Sequence, residues 1–227
     1  MILHVICGYP SKSQGTYENW KRADYDAYKF VRAVKGAPFN GYSVITQGGT
    51  QYRFENDDAG RRTALGVAGR ALAGILHGRM GLVEAAVVPV PASDHIVYGA
   101  DFTGARIARA IATAHAPYQA YPNITFDQVM PKAADGGTRD PAQLMRHMQL
   151  HHELPQRPIV LLDDVTSTHG HLKAAARLLR DAGYPVAGAV CVAQTVWERP
   201  ESMFGIPAKE TAIDTWPGDE PGLFGEF

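Results

Sequence analysis

The sequence predicts an α/β fold in which a parallel sheet carries helices on both faces. Three features predict it. The stretches "EAAVVPVP", "PIVLL" and "PVAGAVCVA" are apolar at successive positions rather than at every second one, as expected of strands buried on both faces. They alternate with the helical patterns "RRTALGVAGRALAGILH" and "HLKAAARLLRDAGY", the order that builds βαβ units. A chain of 227 residues with 45% hydrophobic content is long enough to bury such a core as one domain.

Taken in order, Ile2 to Cys7 reads as a short buried strand before a Gly-Tyr-Pro-Ser turn. The apolar spacing of Trp20, Tyr25, Tyr28, Val31 and Val34 predicts a helix within 17–34 that ends near Gly36. "FNGYSVITQGGTQYRFEN" predicts a hairpin turning at Gly48-Gly49. Arg61 to His77 is an amphipathic helix, 85–90 a strand, Gly104 to His115 a helix, and "YPNITFDQVM" a strand. "DPAQLMRHMQL" starts a helix with Asp140 as N-cap and Pro141 at the first helical position. The last strand, helix and strand are "PIVLLDD", "HLKAAARLLRDAGY" and "PVAGAVCVA". The Pro- and Gly-containing segment from Val196 onward is expected on the surface or in a small lobe. This gives one domain over 1–227, with 61–195 as the α/β core and 1–60 and 196–227 as hood or peripheral elements.

A net charge of −1 gives no global attraction to nucleic acid or anionic lipid, so a small-molecule partner is favoured. Cys7 and Cys191 form no CxxC pair and lie in apolar surroundings, which predicts buried free thiols. The apolar start lacks the basic residues and length of a leader, and no apolar run approaches the ~18 residues of a membrane span. The expected location is the cytoplasm.

The chemistry concentrates in "IVLLDDVTSTHGHLKAAARLL", residues 159–179. In open parallel sheets ligands bind beyond the carboxyl ends of the strands. Asp163 and Asp164 fall there, and two adjacent carboxylates repel unless water, a cation or a polyhydroxyl ligand compensates them. Thr166, Ser167 and Thr168 then lead into a helix whose free N–H groups favour an anion. The pattern suits a phosphorylated sugar, with the anion on the loop and hydroxyls or a metal on the acids. Plain turn and helix capping is the alternative reading of the same residues.

The same stretch resembles the 5-phosphoribosyl-1-pyrophosphate (PRPP) motif of type I phosphoribosyltransferases: a strand, D/E-D-V-x-T-T-G-x-T, then a helix. "AAVVPVPASDHIVYGADFTGARIARAIA" resembles the VPVPLS...RGFNQ...LARALA region of the ComF-like branch. "GTRDPAQLMRHMQL" is similar to that branch's Q-S-x-L-x-R...R-x-x-N segment, and "YDAYKFVRAVKG" to its Y-x-G...K-x-x-G helix. The resemblance covers about residues 85–195. It implies a type I phosphoribosyltransferase-like fold with a small hood. It also implies Mg²⁺-dependent transfer of phosphoribose from PRPP to a nitrogenous small-molecule acceptor, with release of pyrophosphate.

Carried over by position, the resemblance implies that Asp163 and Asp164 contact the ribose hydroxyls and that Thr166, Ser167, Thr168, His169, Gly170 and His171 wrap the 5-phosphate. Ala92, Ser93, Asp94 and His95 would form the pyrophosphate loop, with Lys132 and Arg139 in the segment that closes over the ligand. Mg²⁺ would enter on PRPP, with no residue assigned to it directly and Asp163 or Asp164 left as options. Nucleic-acid and membrane partners are not indicated, and the reading leaves room for a homodimer.

His169 stands where the family has Gly, His171 replaces a Thr, and Asp94-His95 stand where the branch often carries Arg or Lys. These departures keep a second function open: a non-catalytic PRPP- or nucleotide-binding module in regulation or competence. A sugar-phosphate hydrolase is a third. His147 and His151 share i, i+4 spacing next to His152, which reads as a solvated cluster or half a metal site. Trp197, Phe204 and Trp216 read as packing anchors or as stacking surfaces for a base.

Overall fold

The computed structural model describes residues 1–11, 18–131 and 136–211. Its centre is a six-stranded sheet in the order β10-β1-β9-β8-β4-β5. These strands span Lys209–Glu210 (β10), Ile2–Pro10 (β1), Val186–Val196 (β9), Ile159–Thr166 (β8), Ala85–Pro89 (β4) and Tyr118–Ala120 (β5). Every pairing is parallel except that of β10 with β1. Among the described residues five helices complete the α/β architecture: α1 (Arg22–Lys35), α2 (Asp58–Gly78), α3 (Thr103–Ala114), α4 (Pro141–His147) and α5 (Gly170–Asp181).

Successive strand residues serve opposite faces, which explains the unbroken apolar runs. Val160, Leu162, Val190 and Val192 pack with Phe30 and Val31 of α1, Leu72 and Leu76 of α2 and Ile107 of α3. Ile159, Leu161, Ala189 and Cys191 pack with Leu172 and Leu179 of α5 and with Leu144 of α4. Each of these positions therefore meets a buried neighbour, and burying one such aliphatic side chain contributes roughly 1.5–3 kcal/mol. Cys7 and Cys191 are free and buried, as expected.

The hairpin forms as predicted from β2 (Tyr42–Gln47) and β3 (Thr50–Glu55). Gln47 pairs with Thr50 across Gly48 and Gly49, whose positive φ values of 58° and 79° give the turn its right-handed twist. Its Phe54 meets Phe30 of α1 at 6.0 Å between ring centroids. The predicted caps also form, with the Asp140 carboxylate accepting from the Ala142 N–H at 3.0 Å and Pro141 in the first turn of α4.

Several boundaries differ from expectation. "YPNITFDQVM" contributes only β6 (Ile124–Phe126), which joins the separate strand β7 (Met148–Leu150) and not the main sheet. The helix expected through "DPAQLMRHMQL" therefore stops at His147. Strand β5 has no counterpart in the sequence reading. Residues 2–10, assigned to the periphery with the rest of 1–60, form a strand inside the central sheet, paired with β9 along its length. Beyond β9, Arg199 donates to buried Asp24 near the start of α1 at 2.6 Å, tying the segment after the sheet to that helix. Among the described residues no helix is long and apolar enough to cross a membrane.

Candidate functional site

The aspartates lie within β8 itself, two and three residues from its end. Asp163 pairs with Cys191 and Val165 with Ala193, so the neighbouring strand β9 fixes the backbone of the pair. The pair folds back on its own backbone: Asp163 Oδ1 accepts from the Asp164 N–H at 2.8 Å, and Asp164 Oδ1 from the Val165 N–H at 2.5 Å. Lys35, in the last turn of α1, donates to Asp164 Oδ2 at 2.8 Å. Burial and the charge of Asp164 push the Asp163 carboxyl up to about 7, with Lys35 and the Asp164 N–H pulling the other way. Burial opposes the Lys35 charge, but Asp164 and Asp163 outweigh it and hold the amine above its ordinary value.

The loop after the pair turns directly into α5. The Thr166 hydroxyl is buried and lies 2.9 Å from His169 Nδ1. His169 is the N-cap of α5 with φ 63° and ψ 12°, a left-handed conformation. Gly170 opens the helix, and a Cβ there would overlap the backbone carbonyl oxygen of Arg139. Burial lowers the pKa of His169, with the charges of Lys209 and Lys173 adding to the effect. Burial also lowers His171, against the pull of Asp164, and its ring meets Phe126 edge-on at 6.1 Å. The six loop residues, both aspartates and Arg139 thus converge on one end of the sheet.

The segment after β4 reaches the same end, because β4 neighbours β8 and the Val90 N–H donates to the Leu162 carbonyl at 2.9 Å. Ala92 to His95 is a turn closed by the His95 N–H on the Ala92 carbonyl at 2.9 Å. Ser93 and His95 carbonyls accept from Met130 and Phe126 N–H groups, at 2.7 and 2.9 Å, which anchors the turn beside β6. Asp94 is exposed, whereas the buried His95 ring stacks on Phe102 at 4.0 Å. Lys132 and Trp216 lie outside the described residues.

His147 ends α4 and His151 follows β7, so their helical spacing is not realised. His147 Nδ1 meets Asp127 Oδ1 at 3.0 Å, His151 Nε2 meets the Thr125 hydroxyl at 2.7 Å, and Tyr98 packs against His151 and His152. Among the described residues no group of three or more His, Cys, Asp or Glu side chains is placed to hold a metal ion. Trp197 is exposed, and Phe204 packs beside the core.

Sequence reading missed Lys35, which lies 129 positions before Asp164. Its only signal was the lysine closing the helical pattern "YDAYKFVRAVKG". Beside it Tyr9 stacks on Tyr28 at 5.4 Å and 10°, with Trp20 edge-on to Tyr28 at 5.4 Å. A cleft of about 440 Å³ opens at the opposite end of the sheet, lined by Pro155, Arg157, Tyr184 and Val186 among others. It lies at the amino ends of β8 and β9, where open parallel sheets do not place their ligands.

The His169 conformation gives a direct test. A left-handed residue without glycine's freedom costs roughly 1–2 kcal/mol, and the Thr166 contact returns about 0.5–1.5 kcal/mol. His169→Gly is therefore expected to melt close to wild type, while His169→Val, β-branched and without a ring nitrogen, loses at least about 2 kcal/mol. Equal stability of the two variants by chemical denaturation would refute the left-handed assignment.

No family model and no curated protein matches the sequence. Among solved structures, the chain is similar to the crystal structure of orotate phosphoribosyltransferase from Aeropyrum pernix, with 20% identity over 72% of this chain and 91% of that one and a TM-score of 0.37.

Proposed function

We propose that the chain binds PRPP at the carboxyl end of β8 and transfers its phosphoribosyl group to a nitrogenous acceptor, as a type I phosphoribosyltransferase of the ComF-like branch. The observation that carries this reading is the acid pair set directly before a hydroxyl-rich loop that opens α5. A ribose fits with its hydroxyls on Asp163 and Asp164 and its 5-phosphate on the loop from Thr166 to His171, within the field of the helix N-terminus.

The reaction then needs little covalent help from the protein. The acceptor nitrogen forms its bond to C1 as the C1–O bond to pyrophosphate breaks, the electron pair leaves with pyrophosphate, and the nitrogen sheds a proton. Positive charge gathers on the ring in between, and fixed carboxylates beside it stabilise that state.

Mg²⁺, which the family reading implies, finds no matching resident donor set among the described residues, and the acid pair already faces an ammonium. The ion accordingly enters with the substrate, carried on pyrophosphate.

A second reading, binding without turnover, is favoured by one observation: Asp94 is the exposed side chain of the turn after β4, where pyrophosphate would leave. A carboxylate there opposes a polyanion. Calorimetry with Mg-PRPP tests both readings, since no binding at millimolar ligand by folded protein sinks the first and the PRPP-binding form of the second. If PRPP binds, pyrophosphate release with one of a panel of purines, pyrimidines and amines identifies the enzyme, and silence across the panel identifies the binding module. The Asp164→Asn variant is expected to stay folded, because a partly exposed ion pair contributes about 0–1 kcal/mol. It should bind PRPP about ten- to a hundredfold more weakly, the scale of a hydrogen bond to a charged group. An unfolded variant would support the plain capping role of this residue.

A further inference from the structure

We propose that Lys35 is the resident counter-ion of the acid pair, keeping Asp163 and Asp164 free of divalent metal so that their oxygens accept hydrogen bonds from a sugar diol. The second half of this statement rests on the sugar-phosphate reading above; the first half stands on the geometry alone.

Helix α1 holds the lysine in place. Phe30, Val31 and Val34 are fully or almost fully buried in the core, and the helix stops one residue after them at Lys35. A cation at a helix carboxyl end is favoured there by the unsatisfied carbonyls. The amine meets Asp164 Oδ2 at 2.8 Å, where the Asp164 side chain is 22% exposed and that of Lys35 37%.

Asp163 Oδ1, Asp164 Oδ1 and Asp164 Oδ2 already accept from the Asp164 N–H, the Val165 N–H and Lys35. A divalent ion on the pair would have to share oxygens with an ammonium or expel it. With the amine removed, the two adjacent carboxylates and water can supply the several oxygen ligands that a hard divalent cation requires. A hydroxyl makes no such demand: it donates to a carboxylate oxygen that is already neutralised from the other side. Lys35 is thus a positioning residue, which fixes the orientation and charge of Asp164.

The test is a Mn²⁺ titration followed by electron paramagnetic resonance, under nitrogen at about pH 8, above the value of about 7 to which Asp163 is pushed. Wild type and Lys35→Arg are expected to leave Mn²⁺ free at up to millimolar concentration. Lys35→Gln is expected to gain a bound ion, and the double variant Lys35→Gln with Asp164→Asn to lose it again. A purely structural lysine would not produce that gain. Mn²⁺ bound by wild type and released by Asp164→Asn overturns the proposal, as does a folded Lys35→Gln protein that gains no ion. Calorimetry with ribose 5-phosphate then tests the diol: Lys35→Gln should bind about tenfold more weakly than wild type, and equal affinity contradicts a positioning role. Wild type that ignores ribose 5-phosphate contradicts the sugar-phosphate reading, while the Mn²⁺ result still decides whether Lys35 is the counter-ion.

Discussion

The Asp163→Asn variant is expected to melt several degrees above wild type at pH 8 and, at the same pH, to bind ribose 5-phosphate at least about tenfold more weakly. Its cause is the position of Asp163 inside β8, where burial and Asp164 push the carboxyl up to about 7, against about 3.9 in an unfolded chain. With the folded value above the unfolded one, the native state holds the extra proton between those limits. The group's contribution to stability is therefore complete below about pH 4 and lost as pH rises through about 7. Asparagine keeps the neutral form at every pH and can still accept from the Asp164 N–H. The two proteins should accordingly converge in stability below about pH 4, separate as pH rises from there, and differ by a constant margin above about pH 7. Ligand affinity should run the other way in wild type, rising through neutrality as the carboxylate forms. A residue whose charge weakens the fold and strengthens binding belongs to the site rather than to the scaffold. A variant less stable than wild type at pH 8 would assign Asp163 to the scaffold.

Gly170→Ala carries the second large effect. On helix propensity alone, alanine would be favoured over glycine by about 1 kcal/mol. Here the new methyl would overlap the Arg139 carbonyl oxygen and lie 3.2 Å from its carbon, with Leu144 Cδ1 at 3.5 Å. The opposing atoms are backbone just before α4, which cannot swing aside as the tip of a side chain does. Overpacking of this kind typically costs 1–3 kcal/mol, with the upper end expected against a backbone wall, so the clash is expected to win by up to about 2 kcal/mol in urea unfolding. Displacing the first turn of α5 also displaces its N–H groups, and ribose 5-phosphate affinity should fall with stability. A stabilised variant would show that Arg139 does not close on the helix start.

These two residues also mark how far the sequence can be read. The β8–loop–α5 unit was legible because the apolar run, the adjacent acids and the helical spacing are all local, as are the Gly48-Gly49 turn and the Asp140 cap. Strands β5 and β7 were not legible, since three residues carry too few positions to establish a period. The end of β8 was misplaced for a related reason: two aspartates resemble the start of a loop, yet pairing with β9 carries the strand through them to Thr166. The apolar run of β1 identified a strand but could not place it beside β9, some 186 residues away in sequence, because register depends on partners that the local pattern does not name. Lys35 was hidden in the same way. Nothing in "RAVKG" distinguishes a solvated lysine from one aimed at Asp164; only the packing of α1 on the sheet does.

The central claim is that a ribose phosphate sits across the carboxyl end of β8 with its phosphate on the start of α5. Amide chemical shifts recorded while ribose 5-phosphate is titrated into ¹⁵N-labelled protein test it most directly. Saturable shifts are expected at Asp163 to Val165 and at Gly170 to Leu172, with the Pro155 and Tyr184 end of the sheet unmoved. Shifts confined to that opposite end, or a spectrum unchanged at millimolar ligand, would contradict it.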